Sequence, residues 1–280
     1  MSNRLFDLPE ADPGPLSSFD WIVVNSSGGK DSQAMLDLVC ERAEAEGVLS
    51  RVVVVHCDLG RVEWRGTLNI ARRQAECYKV AKFITVKRRA GDLLEQIEHR
   101  GKFPDAARRY CTSDHKRAQV HRVFTHLVKV FQAPFLGKTR QCRILNCLGM
   151  RAEESPKRSK MLAMEPDKEA SNGKREVVRW LPLHRWSEAQ VWERLRSCRS
   201  KDLIHYAYKL GMPRVSCCFC IFAPREALLI AGRHNPELLA EYVRVEEKIG
   251  HKFRQNLTMA EVQEAVLAGE CPKEVPTWQM

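Results

Sequence analysis

The chain has 280 residues, of which 44% are hydrophobic, and this suits a globular protein with one large α/β core or two modest domains. No run of about 18 apolar residues occurs, and the N-terminus lacks a signal peptide's basic and apolar regions, which excludes the usual membrane and secreted classes. We therefore expect a cytoplasmic protein. The formal charge of +11 favours anionic partners such as nucleotides or nucleic acid, with a merely basic soluble protein as the alternative.

Strands and helices alternate along the sequence, which predicts a doubly wound, mostly parallel α/β sheet with helices on both faces. Strands are predicted at 21–24, 51–57, 82–86, 141–150 and 177–183, and helices at 33–46, 67–78, 92–99, 120–130, 187–196, 236–251 and 259–268. Charges and Ser-Pro, Glu-Pro and Asn-Gly pairs between residues 151 and 176 predict a long surface loop. The expected organisation is an N-terminal arm (1–19), an α/β domain (20–240) and a C-terminal helical extension (241–280).

A glycine-containing hexapeptide, Ser27-Gly28-Gly29-Lys30-Asp31-Ser32, joins the first predicted strand to the first helix. In this setting backbone N–H groups and the helix N-terminus can hold phosphate. The glycines allow close approach, Lys30 adds positive charge, and Asp31 can hold Mg²⁺ against phosphate oxygens. The alternative is a capped glycine turn with no ligand.

This hexapeptide lacks the four-residue spacer of a Walker A loop. It resembles the PP-loop of the ATP pyrophosphatase superfamily, whose members bind ATP and release pyrophosphate after adenylating a substrate.

Asp58 follows the second predicted strand. Ligands of open parallel sheets bind beyond the carboxyl ends of the strands, so Asp58 is a candidate for nucleotide or metal contact. An aspartate in a turn before Gly60 is the alternative interpretation.

Eleven cysteines in a cytosolic chain argue against a disulfide framework and favour metal or redox use of some of them. Cys111 lies among basic residues, which lower a thiol pKa. Cys217 and Cys220 have the two-residue spacing that lets two thiolates reach one metal, with Cys218 as a further ligand or a bystander. Three thiolates suit an open [4Fe–4S] cluster and four suit a closed Zn²⁺ or cluster site, while buried free thiols are the alternative.

Several motifs occur in the order typical of one family. They are the hexapeptide, Asp58-Leu59-Gly60, Arg109-Tyr110-Cys111-Thr112, residues 149–155, Leu181-Pro182-Leu183 before Trp186, and residues 217–220. Over roughly residues 20–240 the chain resembles the phosphoadenosine phosphosulfate reductase family, particularly its bacterial and phage-type members, which implies an adenine nucleotide alpha hydrolase-like fold. The resemblance also implies that Lys30 and Arg151 contact phosphates, that Asp31 binds metal, and that Cys111, Cys217 and Cys220 hold an iron–sulfur cluster.

Two departures from that family bear on function. Sulfonucleotide-reducing members carry paired cysteines where this chain has Tyr110-Cys111, and they end in Glu-Cys-Gly-Leu-His, of which Glu270-Cys271 keeps only two residues. Their phosphate loops usually lack the Lys-Asp pair that this chain retains. A phosphate-binding lysine and a metal-binding aspartate are expected in an enzyme that releases Mg²⁺–pyrophosphate from ATP.

Three functions are therefore compared. The first is an ATP-dependent sulfur-transfer enzyme that adenylates a substrate, with tRNA or DNA as a plausible acceptor and a cysteine desulfurase as a plausible donor. The second is a thioredoxin-dependent sulfonucleotide reductase with Cys271 as nucleophile. The third is a non-catalytic nucleic-acid-binding protein with a structural metal. An oligomer is compatible with each of them.

Overall fold

The computed structural model describes residues 12–133, 140–215, 217–273 and 275. Residues 1–11 of the predicted N-terminal arm lie outside this part of the chain. The described strands form one sheet and comprise β1 (Trp21–Asn25), β2 (Val52–Asp58), β3 (Lys82–Lys87), β4 (Cys142–Cys147), β5 (Met164–Pro166) and β6 (Arg175–Trp180). Their spatial order is β3-β2-β1-β4-β6-β5.

The helices connect these strands and continue beyond the last of them. They are α1 (Lys30–Ala45), α2 (Thr67–Glu76), α3 (Leu93–Arg100), α4 (Tyr110–Thr112), α5 (Ala118–Gln132), α6 (Pro156–Ser159), α7 (Glu188–Ser197), α8 (Arg225–His234), α9 (Pro236–Ile249) and α10 (Met259–Leu267). A π-helical turn, Ser113–Arg117, joins α4 to α5. Within the described ranges, every helix is too short or too polar to cross a membrane.

The sheet is mostly parallel. β1 pairs in parallel with β2 and β4, β4 pairs in parallel with β6, and β5 is antiparallel to β6. The chain leaves β1 in one direction for β2 and β3, and later returns to the other side of β1 to form β4. The carboxyl ends of β1 and β4 therefore flank the point where the strand order reverses, which is where open α/β sheets bind ligands.

Helices cover both faces of the sheet, so the central strands β1 and β2 are buried on both sides. Ile22 and Val24 of β1 belong to one apolar cluster with Met35 of α1. Successive strand residues point to opposite faces. On the opposite face, Arg175 of β6 donates from Nη1 to Thr125 Oγ1 of α5 at 2.9 Å. The predicted α/β fold with a mostly parallel sheet is confirmed.

The chain divides into two compact units, each with its own apolar core. The first unit comprises the residues up to His56 together with Asn69–Thr85 and Val120–Ile204, and contains most of the sheet. The second comprises Cys57–Leu68, Val86–Gln119 and the residues from His205 onward. The predicted boundaries at residues 20 and 240 stay a prediction.

Two features differ from the sequence predictions. The predicted loop 151–176 contains α6 and the edge strand β5, in which Met164 pairs with Trp180 and Pro166 with Val178. An edge strand bonds through one side only, so it needs no continuous apolar pattern. The sequence prediction also omits α8, whose short apolar run after Pro224 lacks a side-chain N-cap.

Candidate nucleotide site and cysteine loop

The turn between β1 and α1 has the backbone of an anion-binding loop. Gly28 has φ +74°, a conformation that glycine adopts without strain. Gly29 is the N-cap of α1, and it has no side chain to accept the N–H groups of the first helical turn. Ser32 Oγ donates to Gly29 O at 2.9 Å and accepts from Ser27 N at 3.2 Å, which fixes the turn. The N-terminus of α1 thus suits a phosphate.

The connection after β4 lies against this turn. Asn25 Nδ2 at the end of β1 donates to Asn146 Oδ1 at 2.7 Å and to Cys147 O at 2.9 Å. A Cβ atom added to Gly149 would lie 3.0 Å from Asp31 O, closer than about nine in ten real Cβ contacts. Glycine at position 149 is therefore what lets the two chain segments meet.

Lys30, Asp31 and Arg151 form a buried ionic cluster. Arg151 Nε donates to Asp31 Oδ1 at 2.6 Å, and Lys30 Nζ lies 3.6 Å from Asp31 Oδ2. The side chains of Lys30 and Arg151 are only 3% and 4% exposed, so water screens their charges poorly. The structure thus brings together the seven predicted residues of the first unit: Ser27, Gly28, Gly29, Lys30, Asp31, Ser32 and Arg151.

Two further carboxylates complete the cluster, and the sequence interpretation gave neither of them a role. Glu188, the first residue of α7, lies 3.4 Å from Lys30 Nζ and 4.0 Å from Arg151 Nη2. Glu153 accepts from Arg151 Nη1 and, at 2.9 Å, from Glu188 N. A capping box formed by Ser187 and Gln190 fixes the start of α7, which the sequence predicts at residue 187. That capping box was the one sequence signal near Glu188.

The carboxylates also set the protonation of Arg151. Burial alone would lower the pKa of its guanidinium, but Asp31, Glu154 and Glu153 together raise that pKa above its ordinary value. Arg151 therefore stays a fixed positive charge at any physiological pH.

Asp58 belongs to the second unit. Its Oδ1 accepts from Gly60 N at 2.8 Å. This contact matches the alternative interpretation of Asp58 as an aspartate in a turn. It also lines a cavity of about 550 Å³ within that unit. Other residues lining the cavity include Arg61, Trp64, Thr67, His234 and Glu241.

Cys111, Cys217 and Cys220 are partly buried and pack against the same apolar core of the second unit. Burial raises the pKa of the Cys217 thiol, Lys116 opposes this, and the neighbouring Cys220 and Cys111 add to it. Cys218 is 1% exposed, and burial raises its pKa to about 12. Burial therefore disfavours the thiolate form of Cys217 and Cys218.

Across the described ranges, no group of three or more His, Cys, Asp or Glu side chains is arranged to hold a metal ion. The cysteines thus do not fit a cluster or Zn²⁺ site as they stand, and the predicted metal ligands are not confirmed. Cys271, also in the second unit, is exposed. The preceding residue, Glu270, is bound through its carboxylate by Arg225, with Oε2 2.8 Å from Nη2.

Comparisons with known proteins were made at three levels. No curated protein sequence matches the chain. Among solved structures, a phosphoadenylyl-sulfate reductase from Candida auris in a phosphate complex is 14% identical, with a TM-score of 0.44 over 72% of this chain and 83% of that one. An FMN adenylyltransferase from Candida glabrata, in complex with FAD and inorganic pyrophosphate, is 15% identical, with a TM-score of 0.43 over 75% of this chain and 58% of that one.

The family comparison covers well over half of the sequence. The model of the phosphoadenosine phosphosulfate reductase domain matches residues 21–223, from the start of β1 to the end of the loop that carries Cys217 and Cys220. This chain therefore belongs to the phosphoadenosine phosphosulfate reductase domain family.

Proposed function

We propose that this chain is an ATP-dependent enzyme that transfers AMP to a substrate and releases pyrophosphate from the loop between β1 and α1. The observation that carries the proposal is the position of Asp31, whose carboxylate lies between the buried cations Lys30 and Arg151. A site for a bare sulfonucleotide needs cations alone. A carboxylate in the same loop suits a nucleotide bound with Mg²⁺.

In the proposed reaction, a substrate oxygen attacks the α-phosphorus of ATP, and the bond from that phosphorus to the β-phosphate's bridging oxygen breaks. Lys30, Arg151 and the first N–H groups of α1 would bind the phosphate oxygens and stabilise the charge that develops on pyrophosphate. The carboxylates of Glu153 and Glu188 neutralise the same cations without nucleotide, so phosphate oxygens would replace them.

Asp31 is the residue that would hold Mg²⁺. It is 14% exposed, and hard cations are commonly held by one or two carboxylates together with phosphate oxygens and water, so the residue fits this role. Bound Mg²⁺ supplies charge neutralisation of the leaving pyrophosphate.

A more specific version of this proposal is that the enzyme adenylates a nucleic acid in order to transfer sulfur to it. It is supported by the family resemblance and by the charge of +11, which favours tRNA or DNA as the acceptor. A desulfurase together with a thiol reductant would then supply sulfur at the sulfide level, which bonds to the acceptor as the acceptor's bond to the adenylated oxygen breaks and AMP leaves. Because Cys111, Cys217 and Cys220 do not fit a metal site, we route no step through a cluster.

Reduction of a sulfonucleotide is the second candidate. It is favoured by the exposed thiol of Cys271, which follows Glu270 as in the tail of the sulfonucleotide reductases that the chain resembles. Sulfite formed from phosphoadenosine phosphosulfate and reduced thioredoxin, and lost in Cys271→Ser, would establish this activity. If the unaltered protein forms no sulfite, this activity is excluded.

The decisive experiment incubates the purified chain with Mg²⁺ and α-labelled ATP, with and without tRNA or DNA, and measures pyrophosphate and AMP products. We expect Lys30→Ala to lower the rate roughly 100-fold, since it removes a buried phosphate-binding charge worth about 2.7 kcal/mol. The control is Lys201→Ala, which alters an exposed lysine of the same unit and should leave the rate unchanged. Pyrophosphate release by Lys30→Ala at the unaltered rate would refute the mechanism. Any AMP product would exclude a purely binding protein.

A further inference from the structure

Two glutamines of the first unit are fully buried and donate to the backbone of neighbouring loops. Gln74 of α2 is 0% exposed, and its Nε2 donates to Gly28 O at 3.3 Å and to Leu203 O at 2.9 Å. Gln33 of α1 is 1% exposed, and its Nε2 donates to Ser200 O at 2.7 Å. The two differ in what they hold, because Gln74 binds the β1–α1 loop and Gln33 binds the segment after α7.

Both glutamines carry a polar atom that the fold leaves unpaired. The Oε1 atoms of Gln74 and Gln33 are buried and have no hydrogen-bond partner among the described residues. An unpaired buried amide oxygen costs free energy that an apolar side chain of similar shape would avoid. The orientation of the Gln74 amide is nevertheless defined, because both of its partners are carbonyl oxygens and only the NH₂ end can donate to them. Gln74 is therefore a donor placed at the carbonyl group of Gly28.

The hydrogen bond from Gln74 sets the direction of one peptide group in the β1–α1 loop. Gly28 O and Gly29 N–H belong to the same trans peptide, so they point in opposite directions. Because Gln74 binds Gly28 O, the N–H of Gly29 points away from Gln74. Gly29 N lies 3.5 Å from Ser27 Oγ, at the long limit of a hydrogen bond, so this N–H can still donate to a ligand.

Two consecutive glycines make this peptide easy to turn over. Neither Gly28 nor Gly29 has a Cβ, so rotation about the backbone bonds on either side of the peptide meets little steric resistance. A turned peptide would direct the Gly28 oxygen at a bound anion in place of the Gly29 N–H, and the anion would repel that oxygen. A side chain that binds Gly28 O disfavours this alternative.

We propose that Gln74 is a positioning residue of the β1–α1 loop, which keeps Gly29 N–H directed at the phosphate groups of the bound nucleotide. This inference rests on the proposed function, since ATP is the ligand that the loop would hold. In this role Gln74 acts through Gly28 and does not itself touch the nucleotide. Its contribution is to spare the loop a rearrangement when phosphate binds, which raises the affinity.

The first measurement is isothermal titration of the full chain with inorganic pyrophosphate in the presence of Mg²⁺. Gln74→Met keeps the approximate length of the side chain but removes its donor, and we expect it to weaken binding at least roughly tenfold. Gln33→Met is the matched control, since it also replaces a buried glutamine of the same unit whose Oε1 is unpaired. The control should keep the affinity within about twofold. Equal weakening in the two variants, or none in Gln74→Met, overturns the proposal.

The second measurement observes the peptide itself in the chain without nucleotide. Gly28-Gly29 is the only pair of consecutive glycines in the sequence. Cell-free synthesis with glycine labelled at its carbonyl carbon and its nitrogen therefore gives one carbon–nitrogen-coupled amide signal in the nuclear magnetic resonance spectrum, that of Gly29. We expect this signal to move or broaden in Gln74→Met and to stay in place in Gln33→Met. A merely structural role for Gln74 would leave the signal in place in both variants, and that result overturns the proposal.

These outcomes separate the inference from the proposed function. Pyrophosphate binding that depends on Gln74, without any AMP product, would refute the proposed function and leave the positioning role standing. AMP formation with unaltered pyrophosphate affinity in Gln74→Met would do the reverse, and failure of the unaltered chain to bind pyrophosphate would overturn both. If Gln74→Met does not fold, Gln74→Asn replaces it. Asparagine keeps the amide but is one methylene shorter, so unchanged binding there also overturns the proposal.

Discussion

Lys30 and Arg151 place two buried positive charges at the β1–α1 loop, and their burial decides how that loop can bind an anion. Each cation is paired with carboxylates, so the nucleotide-free cluster is already close to neutral. Removing one partner of such a buried ion pair typically destabilises a protein by about 3–5 kcal/mol, because the other charge is left buried without a partner. Exchange of Glu153 and Glu188 for phosphate oxygens, by contrast, keeps both cations paired. This arrangement favours binding of a polyanion over binding of a single weak anion.

Gly149 provides a test of that arrangement at one residue. In Gly149→Ala the new Cβ would lie 3.0 Å from Asp31 O and 3.2 Å from Ser32 N, so the backbone must shift. We expect the free energy of unfolding to fall by about 1–3 kcal/mol and the affinity for ATP to fall roughly tenfold. Urea denaturation and equilibrium nucleotide binding measure the two effects.

The matched control is Gly173→Ala. A Cβ at position 173 meets nothing within 4 Å, and the residue lies in the same unit. Equal losses in the two variants would mean that crowding against Asp31 is not what requires glycine at position 149.

At the scale of the element, α7 is the helix whose first residue enters the site. Ser187 Oγ accepts from Gln190 N at 3.2 Å, and the next residue, Glu188, contacts Lys30. Ser187→Ala should lower the free energy of unfolding by about 1 kcal/mol, because the first turn loses its cap. It should also lower the rate of pyrophosphate release a few-fold, because Glu188 would then hold the Lys30 ammonium group in place less firmly. Chemical denaturation and the pyrophosphate assay measure these changes.

Ser197→Ala, at the other end of α7, is the control for that helix. Ser197 is exposed, and its Oγ donates to Arg194 O at 3.3 Å. A destabilisation by Ser197→Ala as large as that by Ser187→Ala would show that the cap has no special role.

The elements also show which parts of the fold can be predicted from sequence. The strands around Val23, Val53 and Ile144 are predictable because both faces are buried, which requires continuous apolar runs. The edge strand β5 leaves no such pattern, and its pairing depends on contact with β6. Local signals therefore suffice where burial is complete, and also for β3 at the opposite edge, but not for the short strand β5.

The same distinction applies to the candidate site. The loop at residues 27–32 is predictable since its glycines, charge and position between strand and helix are all local. Glu188 is not, because its contact with Lys30 joins residues 158 positions apart and only the fold brings them together. The two-residue spacing of Cys217 and Cys220 predicts that both can reach one metal, which stays a prediction. Spacing does not report burial, which raises the pKa of the Cys217 thiol.

At the scale of the whole molecule, buried histidines give the second unit an expected response to acid. The second unit contains two fully buried histidines, His115 and His205, which are 1% and 0% exposed. Burial lowers the pKa of each to about 4. For His115, Arg88 and Lys116 add to the effect, while Asp114 and Asp92 oppose it.

Acid should therefore destabilise the second unit between about pH 6.5 and pH 4. An unfolded histidine has a pKa of about 6.5, so in this range the unfolded chain binds more protons, and the free energy of unfolding falls as the pH falls. Each histidine contributes on the order of 3 kcal/mol, present in full above pH 6.5 and lost by pH 4. Hydrogen exchange at residues 86–119 and 205–273, measured across this range, should show falling protection.

His205→Gln separates this effect from general acid destabilisation. His205 accepts from Ala207 N at 3.2 Å and contacts Thr67 Oγ1 at 3.0 Å, and glutamine can bond without titrating. We expect this variant to lose about half of the pH-dependent change in protection, whereas His99→Gln, at an exposed position of α3, should lose none. If both variants kept the full pH dependence, the acid sensitivity of the second unit would have to come from its carboxylates, since those are the other groups that gain protons in this range.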